Sequence, residues 1–136
     1  MRLALLATLI SAPVGAAAQR PASDTLPLRV AELQIEAYNR GDVDGMMILF
    51  AESATMTEFP SGNLIARDKA TIRDRFASMM TRPDRPIITV DSRVASGPFV
   101  FELERWKANP GERDHAIWMY EIRGGLIRRA WTVRMP

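Results

Sequence analysis

Glycine and proline cut the C-terminal part of this chain into strand-length pieces, and no other feature restricts its fold so strongly. Gly97-Pro98 precedes Phe99–Trp106, Asn109-Pro110-Gly111 precedes Ala116–Ile122, and Gly124-Gly125 precedes Leu126–Arg134. The pieces are rich in aromatic and β-branched residues, and the breaks carry residues suited to tight turns. Gly-Gly between two such runs is a two-residue hairpin signal, because both positions tolerate positive φ. Successive hairpins give an antiparallel meander, and Ile87–Val90 opens this strand territory.

The residues before it read as helices able to cover one face of that sheet. Val30, Leu33 and Ala37 form one helical stripe, and Ala31, Ile35 and Tyr38 form an adjacent one. So wide an apolar arc suits a helix buried on more than one side. Gly41 can take the left-handed position that ends a helix, and Asp42 reads as the N-cap of a short second one. Val43, Met46, Met47 and Phe50 then fall at inward spacing, with the methionine pair as core filler. Ala54–Phe59 alternates as a short strand, and Pro60-Ser61-Gly62-Asn63 makes a turn. Ile72, Phe76 and Met79 or Met80 mark a third helix, which starts near Arg67 or Asp68 and stops at Arg82-Pro83. Helices gathered toward the N-terminus on one face of a curved, mostly antiparallel sheet make an α+β fold.

A length of 136 residues leaves room for one domain. The formal charge of +2 is too small for the electrostatic footprint of a nucleic-acid binder. The absence of cysteine removes thiol catalysis and thiolate metal sites, and the lone histidine, His115, cannot make a histidine cluster. Neither a metal nor an organic cofactor is expected. No Gly-rich phosphate loop or Gly-x-Ser-x-Gly elbow is present. At the N-terminus, Arg2, the apolar run Leu3–Ile10, the breakers Pro13 and Gly15, and Ala16-Ala17-Ala18 form the three parts of a signal peptide over residues 1–18. Residues 19–25 read as a polar linker, and 26–136 as the mature domain. The expectation is a periplasmic or secreted protein with no stable membrane span after cleavage.

The segment Tyr38–Thr55 contains an Asn39-x-Gly41-Asp42 step, a short helix ending Leu49-Phe50-Ala51, and a strand that begins Ala54-Thr55. This resembles the opening signature of the SnoaL-like family, within the ketosteroid isomerase and nuclear transport factor 2-like superfamily. Ala70-Thr71-Ile72-Arg73 is similar to the family's third-helix entry, and Tyr120–Ile127 to its last hairpin. The resemblance covers Leu26 to Arg134. It implies a cone-shaped α+β barrel with a small-molecule pocket between the helices and the concave face of the sheet. It does not choose a reaction, because the family includes isomerases, cyclases, dehydratases, hydrolases and non-catalytic binders.

Counted from that signature, Glu58 falls where ketosteroid isomerases place their proton-shuttling carboxylate. Flanked by Met56 and Phe59, it could be desolvated into a usable base, or it could be a solvent-facing glutamate beside a turn. A steroid isomerase also needs a tyrosine and a protonated aspartic acid as oxyanion donors. The matching positions hold Gln34 and Trp118, so steroid isomerisation itself is not expected. Tyr38, one helical turn from Gln34, is a substitute donor or a core residue. Trp118 and Tyr120 share one strand face with Ala116 and Ile122, as an aromatic wall or as core. Thr132 shares a face with Ala130 and Arg134 and joins the candidate ligand-binding set. Trp131 and Val133 point the other way, toward an outer face suited to a homodimer. Glu102 and Glu104 share a face; they are either two close carboxylates or, as strand charges usually are, a solvated stripe, here paired with Arg113 or Arg129. His115 and Asp114 are consecutive and cannot form a dyad in a regular strand. The residues lead to an exported acid–base enzyme, isomerase-like or another lyase or hydrolase, acting on an apolar carbonyl compound. The alternative is a non-catalytic hydrophobic-ligand-binding or dimerisation domain of the cell envelope.

Overall fold

The computed structural model of the protein describes residues 25–107 and 114–134, apart from the side chains of Thr25, Asp114 and Arg134. The signal-peptide region 1–18, residues 19–24 of the linker, the Asn109-Pro110-Gly111 turn and Arg113 lie outside the described residues. Thr25, assigned to the linker by sequence, is the first residue of the first helix.

Helix α1 (Thr25–Arg40) buries Val30, Ala31, Gln34, Ile35, Ala37 and Tyr38, so one amide sits inside an otherwise apolar arc. Its end is defined by hydrogen bonds from Gly41 N to the Tyr38 carbonyl and from Asp42 N to the Ala37 carbonyl, both 2.9 Å. That pairing is a Schellman motif, and it places Gly41 at φ 73°. The Arg85 guanidinium adds bonds to the carbonyls of Tyr38 (3.1 Å) and Asn39 (2.9 Å). Helix α2 (Val43–Met47) is capped by Asp42, whose Oδ1 accepts from Gly45 N at 2.8 Å. A Cβ on Gly45 would collide with the Asp42 carboxylate, so the close cap requires glycine there. Phe50 is not the last turn of this helix, as its spacing suggests, but the first residue of strand β1 (Phe50–Glu58). A short strand β2 (Leu64–Ala66), invisible in the sequence pattern, precedes helix α3 (Lys69–Met80), which Asp68 caps through Thr71 N at 2.7 Å.

Strands β3 (Ile87–Ser96), β4 (Phe99–Lys107), β5 (Asp114–Arg123) and β6 (Leu126–Arg134) form the expected meander. The sheet order is β2-β1-β6-β5-β4-β3, antiparallel except for the β1–β6 pair. Register shifts in four of its five pairings bend it into a curved, unclosed sheet. One edge is tied to α1 by a side chain: Asn39 accepts from Ile88 N (2.9 Å) and donates to the Ile88 carbonyl (2.8 Å). This amide supplies the pairing that an edge strand otherwise lacks. The helices pack on the concave face, where the core gathers Tyr38, Met46, Phe50, Ile72 and Ile127. No helix among the described residues is long and apolar enough to cross a membrane.

Candidate functional site

The strand pairings decide which side chains share the concave face. Glu102 lies opposite Trp118, Glu104 opposite Ala116 and Val100 opposite Tyr120; Trp118 in turn faces Thr132, which pairs with Glu58. Trp106, Trp118 and Tyr120 form a ladder of near-parallel rings, with centroids 6.4 and 6.0 Å apart and planes 12° and 7° from parallel. Together with Phe76 and Met79 from α3, the two tryptophans wall a cavity of ≈ 340 Å³. Glu58, Arg75 and Thr132 also line it. At its closed end is a compartment of ≈ 10 Å³, lined among others by Gln34, Glu104, Trp118 and Tyr120. That is about the space of one water molecule.

Glu58 is half-buried. Its Oε2 accepts from Ser61 Oγ (2.9 Å) and Asn63 Nδ2 (3.2 Å), and no donor among the described residues reaches its Oε1. Gln34 is 3% exposed and Trp118 8%, and neither Gln34 Oε1 nor Trp118 Nε1 has a hydrogen-bond partner among the described residues. Tyr38 lines neither space. Its hydroxyl donates to Met79 Sδ at 3.1 Å, its ring packs against Phe76 and Trp106, and burial pushes its pKa up to about 12. Tyr120 lines the closed end, and its hydroxyl donates weakly to Glu104 at 3.4 Å. Burial, then the neighbouring carboxyls, hold it well above the usual phenol range.

Glu102 and Glu104 do not face water. Both are 1% exposed, and neither pairs with Arg129, which meets Glu121 instead. Glu102 Oε1 is bound by Arg93 Nε at 2.5 Å, and Glu104 Oε2 accepts from Trp106 Nε1 at 2.6 Å. Burial is the largest influence on both carboxyls and pushes both upward. Arg93 opposes it at Glu102, whereas the charge of Glu102 reinforces it at Glu104. His115 lies opposite Arg105 on the outer face and Asp114 opposite Trp106, so the two form no dyad through the strand.

Residues 31–130 match the SnoaL-like domain family. The chain belongs to the SnoaL-like family. Solved structures with the same fold include a candidate ketosteroid isomerase from Kribbella flavida DSM 17836, 18% identical, TM-score 0.73, over 84% of this chain and 81% of that one. An NTF2-like protein of unknown function from Mesorhizobium loti is 12% identical, with a TM-score of 0.75 over 87% and 98% of the two chains. An LEH-like epoxide hydrolase from M. tuberculosis is 14% identical, with a TM-score of 0.69 over 82% and 84%. At such identities the likeness is one of fold. No curated protein matches the sequence. The fold and its small-molecule pocket are those of the SnoaL-like family, and of the two readings the sequence left open for Glu102 and Glu104 the structure shows the buried pair rather than the solvated stripe, with Glu104 at the closed end.

Proposed function

We propose that this SnoaL-like protein is an exported enzyme that transfers protons on an apolar, carbonyl-bearing ring compound, using side chains alone. The supporting observation is Glu58. Ser61 and Asn63 fix one of its oxygens and leave the other free at an aromatic-walled cavity. A base must be oriented before its basicity matters, and these two bonds orient it. Trp118 and Thr132 line the cavity around the ring, and Trp118 and Gln34 bring unpaired polar atoms to its far end. The convex face exposes Val94, Phe101 and Ile117, a surface suited to sheet-to-sheet pairing with a second copy.

A non-catalytic binding domain is the second reading, favoured by the absence of a tyrosine and an aspartate at positions 34 and 118. The two separate with α-tetralone, a bicyclic ketone whose α-hydrogens exchange with D2O. The enzyme reading expects accelerated exchange by NMR. In Glu58→Gln that exchange falls by about 10²-fold or more while α-tetralone binding is kept, as loss of a general base requires. Binding without acceleration, or equal exchange by both proteins, leaves only the binding reading.

A further inference from the structure

The closed end of the cavity holds more polar chemistry than proton transfer at Glu58 uses. Glu104 lines it, Glu102 is buried beside Glu104 on the same face of β4, and among the described residues Arg93 is the one cation paired with either. An uncompensated charge in such a place is so unfavourable that a buried group takes up a proton instead. The hydrogen bonding shows the same thing. Glu102 uses Oε1 on Arg93, and its Oε2 has no donor among the described residues. Glu102 and Glu104 are two apart on one face of β4, and one carboxyl group can donate to another only when it carries a proton. A proton on Glu104 would give Glu102 Oε2 its missing partner and balance the charge.

Above this pair, Gln34 Oε1 and Trp118 Nε1 are both buried and unpartnered among the described residues, and both residues line the water-sized compartment. Unmet buried polar atoms in a native protein point to an occupant. With the Gln34 amide in the orientation of the structure, an oxygen that satisfies both must accept from the indole N–H and donate to the amide oxygen. A ketone or a carboxylate cannot donate, and an ammonium group cannot accept; a hydroxyl or a water does both. We propose that this end of the cavity is a receptor for one hydroxylic oxygen, water in the free protein and the hydroxyl of an uncharged apolar ring in the loaded one, with Glu102 and Glu104 holding a single proton beneath it. An anionic ligand would meet the charge of Glu102 with Arg93 already engaged. The inference rests on the small-molecule reading of the cavity and deepens it. The substrate becomes a neutral ring with a hydroxyl at one end, remote from the carbon that meets Glu58.

Three bicyclic probes test it: 2-naphthol, the ketone 2-acetonaphthone and the anion 2-naphthoate, each titrated by calorimetry at neutral pH. The expected result is 2-naphthol bound about tenfold or more tighter than either, the worth of one good buried hydrogen bond. Trp118→Phe, which keeps a ring and loses the N–H, and Gln34→Met, which loses the acceptor, should each bring the preference within about threefold. Infrared spectra at neutral pH should show a protonated-carboxyl band that Glu104→Gln abolishes. A ketone bound as tightly as the naphthol overturns the hydroxyl receptor, and so does naphthoate bound as tightly or no naphthol binding at all. The absence of the carboxyl band overturns the shared proton. None of these readouts uses Glu58 or turnover, so failure here and failure of the proton-transfer reading are separate results.

Discussion

Replacing Glu104 by glutamine should change how the protein's stability depends on pH. In the native state Glu104 keeps its proton above the ordinary carboxylate range, because burial and the charge of Glu102 both oppose ionisation. In the unfolded chain the same carboxyl ionises near its usual value of about 4.3. Between those two values the native state binds a proton that the unfolded state has lost, so stability falls as pH rises. The stabilisation is complete below the unfolded pKa and gone once pH has passed the folded one. The slope is about 1.4 kcal/mol per pH unit for one proton while pH lies between the two values. At about 4 °C per kcal/mol for a domain of this size, melting should drop by roughly 5 °C for each pH unit inside that window. In Glu104→Gln the new amide would donate to Glu102 Oε2 at every pH, so the variant should lack this slope. Urea titrations followed by tryptophan fluorescence, repeated from mildly acidic to mildly alkaline buffer, measure both curves. Parallel curves would mean that the native protein holds no extra proton, and the charge argument would fail.

Arg93→Met leaves the buried Glu102 without its cation; the expected destabilisation is about 3–5 kcal/mol at neutral pH, shrinking in acid as Glu102 takes up a proton. A loss that urea titration finds independent of pH would refute that pairing. Asn39→Asp keeps the acceptor for Ile88 N but removes the donor to its carbonyl, for an expected loss of about 1–3 kcal/mol in the same assay. An unchanged midpoint would show that the edge strand does not need this tie. If the convex face pairs with a second copy, Phe101→Glu combined with Ile117→Glu should convert dimers to monomers in sedimentation velocity, and a monomeric wild type would refute the pairing outright.

The turn residues made the meander legible, and the Asn39–Asp42 step made the helix junction legible, because both act through local backbone preferences. The polar end of the cavity depends on facing and register, which the alternation in β4 misstates. Phe99, Phe101 and Leu103 form its apolar set, and Glu102 and Glu104 alternate with them, so a one-sided sheet would turn the carboxylates to water. The structure does the reverse: Phe101 is 42% exposed and both glutamates are buried. The sign of the true facing was Trp106, a large ring on the glutamate side, which the register brings to the same face as Trp118. Arg93 was hidden for a different reason. In a regular strand it would lie out of phase with Ile88 and Val90, on the opposite face. The register shift between Val90 and Ser92 makes Asp91 an extra residue, and every later side chain of β3 changes face. Asp91 then meets Arg105 outside while Arg93 reaches Glu102 inside. One bulge therefore supplies the counter-ion that lets a carboxyl pair be buried, with Glu104 at the closed end of the cavity, and without it both glutamates would have to be neutral or face water.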